Sequence, residues 1–550
     1  MKLNKAFLYL LLLLAGTSCK KYIDVSNLDS LSDPAFWKNE NNVRTYCWEF
    51  YNMFPGFGNG TSTNGDFYFT TFNDDQCTNG LTQYAQTAPA TNSDWSFTMV
   101  RKANIMLERI DGVAMNDEAK NNWKGTARFF RALQYFRLVQ NFGDVPWYGH
   151  TVDAGDSAQL YKPRDPRKLV MDSVLEDINF AVNNLRVPDP SNPNIVNRDV
   201  ALALKARICL YEGTYRKYHT ELGLTADAGR FLQEAKDAAG ALIAGPYELN
   251  PNYQTIYNAD NLGNILKKEV LLYKRYESTY LAHSTINYLY SSTIISGLNK
   301  SAIDAYLCTD GQPIALSPLY QGDGNLNNTL ANRDKRLKLS IDTTDLYYKG
   351  HVKNSLSSTT GYRVTKFLPD TNAMKIIPTG TNTNLTDAPL FYLSEVYLNY
   401  AEAAAELGQI DQSDLDKTIN KLRTRAGVAK LTVDPGFTDP NKDADVPSLI
   451  WEIRRERRVE LMMDGFRYQD LMRWKKGVKM TTLLNPDITL GAKVPANSSI
   501  KINAAGYLMA YDAGSSREFL EDKHYLSPVP TKEILLYPLD MQKAMQNPNW

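Results

Sequence analysis

The sequence predicts a mainly α-helical protein, a tetratricopeptide-like helical-repeat scaffold that carries an irregular loop-rich region and a few short strands. Three observations lead there. Apolar residues recur at helical spacing over most of residues 33–245. Three such runs end at a glycine and are each followed by a second amphipathic segment, the pattern of helices that fold back on a partner. Pro246–Pro389 then breaks the rhythm with segments rich in Tyr, Gly, Asn and Thr. At 550 residues the chain exceeds what one simple core organises, so a multi-lobed body is expected.

The elements follow in order. Lys2 and Lys5 precede Ala6–Ala15 (AFLYLLLLLA), which falls short of the roughly 20 apolar residues a membrane-spanning helix needs. It reads as a cleaved export signal. Gly16-Thr17-Ser18 then leads into Cys19 in the manner of a bacterial lipobox, with Gly16 where such boxes more often hold Leu. Residues 1–18 are therefore expected to be a lipoprotein signal peptide, and Cys19 the lipid anchor. Asp33-Pro34-Ala35 marks a helix start, with a capping residue and a first-turn proline. Phe54–Pro89 is a long irregular stretch, a kind of segment that is usually functional or disordered. Helices are predicted over Trp95–Asp111, with Asp94 as N-cap, and over Asn121–Phe142.

The helix-pair logic couples Arg128–Gly143 with Leu169–Leu185, Ala201–Gly213 with Phe231–Ile243, and Leu393–Gly408 with Asp414–Arg425. Glu269–Tyr276 (EVLLYKRY) predicts a strand. Ile450–Trp474 reads as a helical segment in which Glu452 with Arg455, and Arg457 with Glu460, stand one turn apart. Glu452, Glu456 and Glu460 also stack at four-residue spacing, as do Arg454 and Arg458, so some of these charges must find partners elsewhere in the fold.

Lysine plus arginine balance aspartate plus glutamate at 61 each, which argues against nucleic acid as a partner. Motifs of zinc proteases, serine hydrolases and P-loop enzymes do not occur, and the five histidines lack metal-ligand spacing. Asp323, Asn325, Asn327 and Asp334 loosely follow a calcium loop, without its turn glycine or closing glutamate, and read as a plain turn. No metal or cofactor is expected. Cys47, Cys77, Cys209 and Cys308 suggest no disulfide framework.

The motif Asp464-Gly465-Phe466-Arg467-Tyr468, followed by Asp470-Leu471-Met472-Arg473-Trp474 after an Arg/Glu-dense helix, resembles the C-terminal signature of the SusD/RagB family. Arg131–Phe136 with Gly143-Asp144-Val145-Pro146, the helix Phe391–Ala404, Lys523–Pro530 and the ending Gln546–Trp550 are similar to further segments of that family. The resemblance covers most of the chain, with a boundary expected near residue 245 between an N-terminal helical region (19–245) and a C-terminal region (246–550). It implies a non-catalytic outer-membrane lipoprotein that faces the cell exterior. Such a protein captures an oligosaccharide for a TonB-dependent outer-membrane transporter of the SusC type. Capture of oligopeptides by the same architecture, and a helical-repeat adaptor that binds only protein, remain as alternatives.

Sugar rings present apolar faces for aromatic side chains and a hydroxyl rim for Asp, Asn, Gln and Arg. With 33 tyrosines available, candidates are sought on the irregular segments. Asp74, Asp75 and Gln76 form a polar cluster flanked by Phe72 and Tyr84. Trp95 stands where the family resemblance implies an aromatic near the ligand. Tyr280, Tyr288 and Tyr290 offer further platforms, and Asp310 a hydrogen-bonding group.

Overall fold

The computed structural model describes residues 36–60, 65–191, 194–265, 268–290, 295–348, 358–369, 380–496 and 500–550. The signal peptide, Cys19 and the helix start at Asp33 lie outside the described residues. No described helix is long and apolar enough to cross a membrane.

The scaffold is helical, as expected. Its main elements are α1 (Thr98–Arg109), α2 (Asp117–Phe142), α3 (Arg167–Asn184), α4 (Arg198–Tyr218), α5 (Ala228–Ile243), α6 (Leu393–Glu406), α7 (Ile419–Ala426) and α8 (Ser448–Glu460). Packing runs α2 on α3, α3 on α4, α4 on α5 and α5 on α6, and α6 then meets α8. Asn116 caps α2 by accepting from Ala119 N–H, and Asp117 and Glu118 complement the positive end of the helix dipole. At its other end Gly143 takes φ +72°, and the C-terminal tail seals the last turn. Ser527 N–H donates to Asn141 O at 2.6 Å, and Asn547 Nδ2 donates to Phe142 O at 3.1 Å, so carbonyls that no helical turn can satisfy find partners.

Buried ion pairs join neighbouring helices. Arg131 on α2 grips Asp177 on α3 through Nε (2.7 Å) and Nη2 (2.8 Å). Arg167 on α3 reaches Glu212 on α4 at 2.6 Å, and Arg207 on α4 reaches Glu395 on α6 at 2.6 Å. The β content is small. Among the described residues, β1 (Gln76–Thr78) pairs antiparallel with β3 (Ser296–Leu298), β2 (Val270–Lys274) with β4 (Ala388–Tyr392), and β5 (Leu490–Lys493) with β6 (Tyr507–Met509). β2 falls inside the expected strand Glu269–Tyr276. The main hydrophobic core is continuous across residue 245 rather than divided into lobes, because β1–β3 and the helix stack both bridge that position. Cys47, Cys77, Cys209 and Cys308 are all buried free thiols.

Four local expectations need correction. Ala201–Gly213 does not stop at its glycine; α4 runs on to Tyr218. Gly213 is a close-approach point instead, since a Cβ there would lie 2.8 Å from Leu232 Cγ on α5. Trp95–Asp111 becomes helical only at Thr98, and Asp94 is no cap: its carbonyl accepts from Ser96 N–H in the preceding turn. Asp414–Arg425 is two helices, Gln412–Lys417 and α7, broken at Thr418 (φ −127°, ψ −93°). Ile450–Trp474 is likewise split, with α8 ending at Glu460 and a short helix starting at Arg467. Met463 (φ +64°) and Gly465 (φ +90°) form the turn between them.

α8 is buried, not a solvated charged face. Arg455 pairs with Glu452 (3.2 Å) as expected, but Arg457 reaches Asp470 (2.8 Å) instead of Glu460. Glu460 accepts from Arg336 (2.7 Å) and Arg425, and Glu456 meets Arg336 (2.7 Å) and Arg423 (3.0 Å). Arg454 pairs with Glu406 (3.0 Å) and Arg458 with Asp75 (2.7 Å). With Arg423 also 3.5 Å from Glu452, the stacked like charges are each compensated from another element, which keeps ionised groups tolerable away from water.

Candidate functional site

Parts of the irregular segments 65–84, 295–298 and 358–364 come together. The β1–β3 pair joins the first two, and Thr359 Oγ1 donates to Cys77 O at 2.6 Å. Asn73 sets the local shape: its Oδ1 accepts from Asp75 N–H (2.8 Å) and Gln76 N–H (2.9 Å), a side-chain-closed turn. That turn aims both aspartates at Arg458 on α8 and at Arg467, which starts the short helix after it. Asp74 accepts from Arg467 Nε and Nη2, each at 2.7 Å, and Asp75 accepts from Arg458 Nε at 2.7 Å. Burial pushes the Asp74 carboxyl up, but Arg467 and Arg458 together outweigh it and hold the group well below the usual range. For Asp75 burial, reinforced by the charge of Asp74, prevails over Arg458 and leaves its carboxyl raised.

Gln76 is buried as well, donating to Tyr68 O (3.2 Å) and Ser296 Oγ (3.0 Å). These three polar side chains bind the loop to the scaffold. Asp74, Arg458 and Arg467 also line a cavity of about 420 Å³ whose wall charges largely pair among themselves, as Lys479 does with Asp443 at 2.7 Å.

The aromatic candidates separate into groups. Phe72 and Tyr84 do meet, with ring centroids 4.9 Å apart, and Phe72 also contacts Tyr468 (5.4 Å). Tyr288 packs edge-to-face on Phe69 (5.6 Å), and Tyr290 lies 5.6 Å from the Arg363 guanidinium. Arg363 itself pairs with Asp342. Tyr280, 83% exposed, stands at the tip of a turn closed by Glu277 and Leu281. Asp310 is engaged locally, accepting from Gln312 N–H (3.0 Å) and Ser317 Oγ (2.7 Å). Asn325 and Asp334, from the calcium-like stretch, cap short helices, and Asp334 also pairs with Arg336 (2.6 Å).

Trp95 is half-buried, edge-on to Phe142 (4.9 Å) and Phe97 (5.6 Å). Its loop rests on a polar stripe of α2: Gln134 Nε2 donates to Ser96 O at 2.8 Å. One turn further along that stripe Arg137 is partly exposed, and the charges of Asp66 and Asp94 both bear on it. Sequence reasoning missed Phe69, Asp66 and Arg137. The signal for Arg137 was present in Gln134, Arg137 and Asn141, polar residues at helical spacing in the aromatic-rich second half of α2. Asp66 and Phe69 gave none, because an irregular segment has no periodicity to read.

A family model described as "SusD family" matches residues 268–550, and another, described as "Starch-binding associating with outer membrane", matches residues 52–210. The SusD-like protein P38 of Formosa agariphila is 23% identical over 512 residues, covering 88% of this chain and 93% of the relative. The starch-binding protein SusD of Bacteroides thetaiotaomicron is 22% identical over 477 residues, 75% of this chain and 82% of that protein. A solved SusD-like carbohydrate-binding protein from Bacteroides fragilis superposes with a TM-score of 0.69 at 20% identity, covering 92% of this chain and 99% of the other. With more than half of its length matched by one family model and its fold shared with that solved structure, the chain belongs to the SusD family.

Proposed function

We propose that this protein captures an oligosaccharide on its loop face without altering it and passes it to a TonB-dependent outer-membrane transporter. In this reading the lipid on Cys19 holds it at the outer membrane, facing the cell exterior. One observation carries the binding reading. Trp95 is braced edge-on by two other rings, which presents a rigid indole beside hydrogen-bonding groups on α2. A braced indole loses little conformational freedom when a sugar ring stacks on it, so its contact area converts efficiently into affinity. Relatives whose names describe starch or carbohydrate binding support the same ligand class.

The test is calorimetric titration of wild type and Trp95→Ala against neutral and acidic oligosaccharides and mixed oligopeptides. Wild type is expected to bind a glycan and Trp95→Ala to bind it about tenfold more weakly, from an aromatic contribution of roughly 1.5 kcal/mol. Peptide binding without glycan binding, or the appearance of new reducing ends during incubation, would overturn the proposal.

A further inference from the structure

Trp451, Arg454, Arg455 and Arg458 recur at helical spacing along one face of α8, and together they line the cavity of about 420 Å³. Segments 301–305, 439–443 and 476–488 supply most of the remaining wall, and no residue of the Trp95 loop lines it. Its size falls within the roughly 300–1,000 Å³ of small-molecule sites. Every lysine and arginine on the wall already has a carboxylate. Arg454 has Glu406 (3.0 Å), Arg455 has Asp439, Arg458 has Asp75 (2.7 Å) and Arg467 has Asp74 (2.7 Å). Lys476 has Asp445 and Lys479 has Asp443, each at 2.7 Å, while Asp304 and Asp487 share Lys300. The wall therefore leaves no charge waiting for a counter-ion, yet it keeps hydrogen-bonding capacity. Lys479 donates only to Asp443 among the described residues, with further ammonium N–H groups to offer. Asp487 accepts from Lys300 through Oδ2 (3.2 Å), and its Oδ1 takes no hydrogen bond among the described residues. An aromatic surface adjoins this wall: Lys479 Nζ lies 5.3 Å from the centroid of Trp451, whose own indole N–H donates to Asp439 Oδ2 at 3.3 Å. Trp451 is half-buried, and Leu484, 67% exposed, adds apolar surface at the rim.

We infer that this cavity is a second binding site, separate from the Trp95 loop, for the end of an uncharged saccharide. The inference does not need the Trp95 loop to bind anything. An anion would add a negative charge beside Asp439, Asp443 and Asp487, whose cations are already neutralised. A cation would meet the arginines of α8 in the same way. A purely apolar ligand would strip water from charged groups without replacing its hydrogen bonds. A sugar ring avoids all three conflicts. Its C–H face suits Trp451 and Leu484, and its hydroxyls both accept, as Lys479 requires, and donate, as Asp487 requires. The braced indole loses little freedom when a ring stacks on it.

The experiment is fluorescence and calorimetric titration of the full chain in a Trp95→Ala background, which removes the stacking ring of the loop site. The probes are glucose, galactose, mannose and their neutral oligosaccharides, with glucuronate and inorganic sulfate as charged counterparts. A neutral saccharide is expected to bind and to change tryptophan emission. Adding Trp451→Phe should abolish the emission change, because the reporting indole is gone. Adding Lys479→Met should weaken binding about tenfold or more, the worth of a hydrogen bond from a charged donor. Leu484→Ser alters an exposed side chain with little packing to lose, so it should weaken binding by a smaller factor and keep the test decisive if a wall variant fails to fold. Failure of every neutral saccharide to bind in this background, tighter binding of glucuronate or sulfate, or unchanged titrations in the folded variants would overturn the second site. Binding that occurs with Trp95 present and vanishes in Trp95→Ala would support the loop site and overturn this one.

Discussion

Replacing Glu402 by Gln removes one negative charge from the buried network while keeping the side chain's shape. Glu402 lies fully buried on α6 and accepts from Arg473 Nη1 (2.6 Å), Arg473 Nη2 (2.7 Å) and Trp474 Nε1 (2.6 Å). Burial by itself would raise its carboxyl. Arg473, with Arg457 and Arg454 behind it, outweighs burial and holds the group down to about 2, against an ordinary 4.5. The folded value is the depressed one, so the stabilisation is fully present above pH 4.5 and lost as pH falls towards 2. A depression of that size corresponds to about 3 kcal/mol at neutral pH. Removing one partner of a buried pair costs about 3–5 kcal/mol by an independent route, and the two agree.

The assay is urea denaturation of wild type and Glu402→Gln in parallel at pH 7 and pH 3, followed by tryptophan fluorescence, to which buried Trp474 contributes. At pH 7 the variant should be less stable by about 3–5 kcal/mol. At pH 3 the gap should fall to about half, because wild-type Glu402 is then losing its own charge advantage. A gap below about 1 kcal/mol at pH 7, the scale of an exposed pair, or one that stays constant between the two pH values would refute the reasoning.

Two further predictions concern packing and anchoring. Gly213→Ala should lower the thermal midpoint despite alanine's better helix propensity, since the added Cβ meets Leu232 at 2.8 Å and overpacking costs about 1–3 kcal/mol. Gly229→Ala on α5, where the Cβ meets open space, is the control and should not lower it. Cys19→Ala should move the protein from the membrane fraction to the soluble fraction on cell fractionation; continued membrane association would contradict lipid anchoring at that residue.

Legibility differed between element types. Long amphipathic helices such as α2, α3 and α5 could be read within a few residues, because one apolar stripe and a cap are local properties of the chain. The glycine at 143 was read correctly as a stop and the glycine at 213 was not. Both follow apolar runs, and only the neighbouring α5 shows that the second serves close packing. In the loop region the sequence picked out chemically apt residues but not their obligations. Asp74, Asp75 and Gln76 have the composition of a sugar-binding cluster, yet arginines almost 400 residues later hold both aspartates.

The sequence by itself determined the helical architecture, the family resemblance and the requirement that stacked charges on α8 be compensated from elsewhere, since each follows from periodicity, motif or local repulsion. Only the tertiary structure decided which partner each charge takes, and which polar groups are left unmatched. Arg131 and Arg137 lie on one helix with similar surroundings in sequence. Asp177 from the next helix reaches the first, while the second takes no hydrogen bond or ion pair among the described residues. Coulombic attraction and desolvation depend on distances between segments remote along the chain, and packing alone sets those distances.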